Sequence, residues 1–133
     1  GGFCNFRIIE LPEVQIADKN ASDKQIAKAL QKEGETILAS VRKGAYLVAL
    51  CVEGRQVSSE DLAAMIAERA MSGAGYMAFV IGSSHGLDDS VKRAAQARIS
   101  LGRITLPHQL ARLVLTEQLY RACTINAGMK YHK

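Results

Sequence analysis

Along the chain, short runs of consecutive apolar residues alternate with stretches in which apolar residues recur every three or four positions. Phe6 to Leu11 (FRIIEL) is a short apolar and β-branched run stopped by Pro12, which predicts a strand. Glu13 to Ala21 is polar and without periodicity, so a loop is expected. Ser22 and Gln25 make a capping-box pair, and Ile26, Leu30, Ile37, Leu38 and Val41 then follow at helical spacing. Gly34 weakens this helix locally, by about 1 kcal/mol relative to alanine. Tyr46 to Cys51 (YLVALC) is continuously apolar between Gly44 and Glu53-Gly54, the pattern of a strand buried on both faces of a parallel sheet.

Ser58 or Ser59 can cap a second helix that faces inward through Leu62, Met65 and Ile66 and is ended by Gly73 and Gly75. Met77 to Ile81 (MAFVI) predicts another buried strand, followed by Gly82-Ser83-Ser84-His85-Gly86 and a short helix from Asp88 or Asp89 through Arg98. Ile99 to Ile104 is a further strand-like piece. Pro107 suits the first turn of a long last helix, since its missing donor would be unpaired there. Leu110, Leu113, Val114, Leu115 and Leu119 make that helix more apolar than one core-facing stripe requires, which predicts a subunit contact. Alternating strands and helices predict an α/β layer structure with a parallel sheet.

Composition narrows this reading. A length of 133 residues fits one domain, spanning residues 1–133, with a real core. No uncharged apolar run approaches the roughly 20 residues that cross a bilayer, no secretory leader is visible, and a soluble, cytoplasmic protein is expected. Cys4, Cys51 and Cys123 are widely spaced and form no CxxC pair, so neither a disulfide framework nor a metal site is expected. Charge is divided unevenly. From Val91 onward, Lys92, Arg93, Arg98, Arg103, Arg112, Arg121, Lys130 and Lys133 face a single acid, Glu117, whereas residues 1–90 are net acidic. Such a split fits a polyanionic partner or, equally, a solvated basic face.

In parallel α/β sheets, ligands bind beyond the carboxyl ends of strands. Three such ends are marked by Leu50, by Gly82 and by the loop from Leu101 to Leu106. Glycine at 82 or 102 lets backbone approach a flat ligand, and Leu50, Leu101, Ile104 and Leu106 are suited to enclosing an adenine. Ordinary turns and core residues are the other reading. The segment Gly82 to Gly86 fits neither the Walker pattern nor GxGxxG, and no spacing supports a triad of Ser84, His108 and Asp88. His85 is a loop residue and His108 lies in the first turn of the last helix. Tyr131-His132-Lys133 is either a mobile terminus or a tail that grips RNA, with tyrosine stacking on a base and the basic groups on phosphate. Glu117 and Arg121 are spaced as an i, i+4 pair.

The run SLGRITLPHQLARLVLTEQLYRA with a terminal YHK resembles the C-terminal signature of the RlmH-type methyltransferases of the SPOUT superfamily. IIELPE, KEGETIL, LCVEG and FVIGSSHGL match in the same order, so the resemblance covers nearly the whole chain. It implies a SPOUT fold with a C-terminal trefoil knot and a homodimer in which both knots meet. It also implies an additional N-terminal strand and helix, whereas here Gly1-Gly2-Phe3 leads directly into the first strand. The implied activity is S-adenosylmethionine-dependent methylation of N3 of a pseudouridine in large-subunit ribosomal RNA, on the assembled ribosome and without a metal. The matching cofactor-site positions are Leu50, Gly82, Leu101, Gly102, Arg103, Ile104, Thr105 and Leu106, with the last loop's backbone holding the adenine edge. Cys51 stands where many relatives have an acid, and Ser83 where a second glycine is usual. On the substrate side the matching positions are His108, Tyr131, His132 and Lys133. His108, Tyr131 and His132 are the candidates for accepting the target's proton, and Arg121, Lys130 and Lys133 for contacting RNA. A non-catalytic RNA- or ribosome-binding module and a methyltransferase of another RNA, such as transfer RNA, are the alternatives.

Overall fold

A computed structural model describes residues 5–10, 22–41, 43–73, 76–82 and 86–132. Cys4, Leu11, Pro12, Gly75, Ser83, Ser84, His85 and Lys133, on which several sequence expectations fall, lie outside these residues.

Among the described residues four strands and four helices alternate: β1 (Asn5–Glu10), α1 (Asp23–Ser40), β2 (Tyr46–Gln56), α2 (Ser59–Met71), β3 (Tyr76–Ile81), α3 (Asp89–Ala94), β4 (Ala97–Ser100) and α4 (His108–Asn126). Every strand pair is parallel, in the order β1-β3-β2-β4. Alternation along the central strands assigns the two faces. Val48, Met77, Phe79 and Ile81 join Leu62, Ala63 and Ile66 of α2 and Leu115, Leu119 and Ala122 of α4 in one core. Leu47, Ala49, Ala78 and Val80 point the other way, toward Ile37, Leu87 and Val91, where α1 and α3 pack. A sheet covered on both sides explains why β2 and β3 read as unbroken apolar runs.

Local signals place the helix starts. Ser22 accepts from the Gln25 backbone N–H while the Gln25 side chain accepts from the Ser22 N–H, and Ser58 and Asp61 reproduce the same reciprocal box on α2. Each box satisfies two otherwise unpaired donors. Pro107 is the cap of α4 rather than its first turn.

Three expected boundaries shift. The last strand-like piece forms a strand only over Ala97–Ser100, and Leu101 to Ile104 leave the sheet. The helix after Asp88 stops at Ala94, four residues before Arg98, because Ala95 is already extended. Strand β2 continues past Cys51 to Gln56 through an irregularity in which Ile99 pairs with both Leu50 and Arg55. Cys51 to Gly54 are the extra residues at that register shift, as in an enlarged bulge.

Candidate active site

The bulge and the loop after β4 form the two sides of one open crevice of about 210 Å³. Leu50 and Ile81, the last pair of the parallel β2–β3 ladder, lie at its base; Cys51, Val52 and Glu53 make one lip, and Leu101, Gly102, Ile104, Thr105 and Leu106 the other. Gly82 and His108 also line it. Seven of the eight cofactor-site candidates are thus brought together from three separate parts of the chain. Arg103 is the exception: it belongs to the loop but is exposed and does not line the crevice.

A buried hydroxyl shapes the loop. Ser100, only 2% exposed, donates to the Gly102 carbonyl at 2.9 Å and accepts from the Gly102 N–H at 3.1 Å. That clamp turns the chain out of β4 immediately, and Gly102 completes the turn at φ +127°, a conformation open to glycine. Sequence reasoning missed Ser100. Its signal was a small hydroxyl residue at a strand end, two positions before a glycine.

Gly82 has a reason of its own. An added Cβ would stand 2.7 Å from the carbonyl carbon and oxygen of Gly86, so the close approach that requires glycine is between two stretches of this chain. Gly54 does the same on the opposite lip, where a Cβ would meet the Ile99 backbone at 2.7 Å. Both crevice walls therefore depend on backbone packed against backbone.

Charge at the mouth is paired. Lys92 donates to Glu53 at 2.5 Å, which holds the Glu53 carboxyl below the usual carboxylate range and pushes Lys92 up. Burial, with Glu53 nearby, pushes the Cys51 thiol up as well. A protonated thiol makes Cys51 part of an apolar wall and a poor nucleophile.

The C-terminal tail is docked elsewhere. Arg121 lies thirteen residues beyond His108 on α4, about 20 Å of helix rise. It donates to Glu117 at 2.7 Å and to His132 Nδ1 at 3.1 Å, and lies 4.9 Å from the centre of the Tyr131 ring. Tyr131 packs edge-on against Tyr120, and His132 Nε2 is 2.6 Å from Glu60 on α2. Neither Tyr131 nor His132 lines the crevice, so one chain separates the sequence-predicted catalytic candidates: His108 is in the crevice, the other two are not. Of the RNA-contact candidates, Lys130 is exposed, whereas Arg121 is already held by Glu117, His132 and Tyr131.

Among the described residues no group of three or more histidines, cysteines or carboxylates could hold a metal ion, and no helix is long and apolar enough to cross a membrane.

Comparison with known proteins gives a consistent result. A family model described as "Predicted SPOUT methyltransferase" matches residues 1–132. The chain is 47% identical over 131 residues to the ribosomal RNA large subunit methyltransferase H of Pediococcus pentosaceus, covering 98% of this chain and 82% of that protein. It is 44% identical over 133 residues to the protein of the same name from Ligilactobacillus salivarius, covering 100% and 83%. With that of Bifidobacterium animalis subsp. lactis it shares 46% identity over 131 residues, covering 96% and 82%.

Proposed function

Since the chain belongs to the SPOUT methyltransferase family, we propose that it transfers a methyl group from S-adenosylmethionine to N3 of a pseudouridine in large-subunit ribosomal RNA. The relatives' shared name supports large-subunit ribosomal RNA as the substrate class, and the resemblance of the chain's motifs supports the base and atom. The observation that carries the reading is the single crevice that gathers Leu50, Gly82 and the loop from Leu101 to Leu106.

The crevice fits such a methyl donor. Leu50, Ile81, Leu101 and Leu106 offer apolar walls for a flat purine, and the loop set by Ser100 presents backbone donors and acceptors for its edge. When bound, S-adenosylmethionine supplies a methyl group already activated by its sulfonium. What remains for the protein is to exclude water, align the target and relieve its ring nitrogen of a proton. His108 lies at the crevice itself. The tail contributes Tyr131, suited to stacking on a base, while Lys130 and Lys133 provide charge for phosphate.

Because the crevice and the tail are apart within one chain, the reading includes a homodimer in which one copy's crevice is completed by the other's tail. Leu110, Leu113 and Tyr120, 44%, 65% and 54% exposed on α4, are an apolar face that a second copy would cover. The C-terminal trefoil knot and action on the ribosome in the cytoplasm belong to the same reading.

Labelled S-adenosylmethionine, the purified protein and ribosomes from a strain lacking this activity test it. Label is expected in one pseudouridine of the large-subunit RNA. Label in transfer RNA instead, or saturable ribosome binding with no heat on donor titration, would overturn the assignment in favour of another substrate or an inert binder.

A further inference from the structure

His132 sits between two partners whose chemistry fixes the state of its ring. A guanidinium has donors and no acceptor, so the 3.1 Å contact from Arg121 Nη1 requires a lone pair on Nδ1. The ring's one proton is then on Nε2, where the Glu60 carboxylate stands 2.6 Å away as acceptor. A doubly protonated ring would set an N–H against the N–H of Arg121. Arg121 is itself immobilised by Glu117, which takes its Nε–H at 2.7 Å and pushes its pKa up. Beneath this chain, α2 and α4 are tied by Ser59 donating to Gln118 at 2.5 Å and by Asn126 donating to the Ala63 carbonyl at 3.0 Å.

We propose that Glu60 is a positioning residue for the C-terminal tail: with Arg121 on Nδ1, it fixes His132 as the neutral Nε2–H tautomer. His132 then anchors Tyr131 at the end of α4. With both ring nitrogens engaged, it is not the group that receives the substrate's proton. This last consequence rests on the methyl transfer proposed above; the tautomer does not.

A glutamate in the first turn of a helix has another explanation, its charge opposite the positive end of the helix dipole, and two variants separate the roles. Glu60→Gln removes the charge and keeps an acceptor; Glu60→Ala removes both. In the full-length free protein, nitrogen-15 spectra are expected to show a pyridine-like Nδ1 and a pyrrole-like Nε2 for His132. That pattern persists in Glu60→Gln; in Glu60→Ala, where Arg121 still calls for the Nδ1 lone pair, the Nε2–H loses its acceptor, and its proton resonance moves upfield and broadens by exchange with water. Turnover on ribosomes falls about tenfold in Glu60→Ala with the donor KM unchanged, and is rescued to within about twofold in Glu60→Gln. The opposite tautomer in the unmodified protein, an unchanged ring in Glu60→Ala, or a Gln variant as impaired as the Ala variant would each overturn the proposal. Should no protein sample methylate ribosomes, the methyl-transfer reading fails, and the ring spectra alone still decide the role of Glu60.

Discussion

Ser100 spends one hydroxyl on two backbone bonds to Gly102, and the shape of the crevice lip depends on them. Replacing it by alanine leaves the Gly102 N–H and carbonyl without that partner. Ser100→Ala is expected to cost about 1 kcal/mol of stability, read from the urea midpoint. Donor affinity, read by calorimetry, should fall about tenfold, since the loop loses the turn that aims it. At the mouth, the Glu53–Lys92 pair gives a pH signature with a defined sign. Glu53 is depressed from its ordinary 4.5 and Lys92 raised from 10.5. The contribution from Glu53 is therefore complete above 4.5 and lost as acid passes through its lowered value. The contribution from Lys92 is complete below 10.5 and lost as base passes through its raised value. Glu53 is 59% exposed, so solvent screens the pair to below about 1 kcal/mol. Lys92→Met should lower the unfolding free energy by that amount at neutral pH, and the difference from the parent should vanish in acid well below 4.5. A difference that persists there would assign the effect to packing of the lysine stem.

At the scale of elements, the periodic signals were legible because burial dictates them: β2 and β3 are covered on both faces, and the reciprocal boxes at Ser22 and Ser58 are local chemistry. What could not be read is where two backbones meet. Gly34 reads as a weak point in α1, yet it is buried, and a Cβ there would stand 3.1 Å from Asp88 Cβ and Ser90 Oγ; it lets α3 close on α1. Leu101 to Ile104 reads as strand because Leu101 and Ile104 extend the apolar pattern of Ile99, but Leu101 and the exposed Ile104 line the crevice instead, and Ser100 has already turned the chain. The excess apolarity of α4 was legible, and the structure divides it. Leu115, Leu119 and Ala122 are in the core, while Leu113 remains 65% exposed. Leu113→Asp puts a charge into the face proposed to pair with a second copy and touches nothing in the core. Sedimentation should report a monomer that still melts cooperatively, with methylation lost. A dimer of unchanged affinity would place the contact on another surface.

At the scale of the whole molecule, the charge split along the sequence drew attention to the tail, but it could not show that Arg121 is locked by Glu117 or that His108 and His132 are held apart. Both are consequences of three-dimensional packing. The separation makes a strong claim about assembly, because methyl transfer demands reacting atoms about 3 to 3.5 Å apart, and His108 and Arg121 alone are separated by about 20 Å of helix. Two damaged proteins should therefore repair one another. Let one carry Gly102→Val, whose branched side chain is strained at φ +127°, and the other carry Tyr131→Ala with His132→Ala. Each alone should be inactive on ribosomes. After equal mixing and full subunit exchange, half of the dimers are mixed, and each holds one site with an intact crevice facing an intact tail. About a quarter of the parental activity should return by this two-fold symmetry. If crevice and tail instead served the same chain, every site in the mixture would contain one damaged part and no activity would reappear, however complete the exchange.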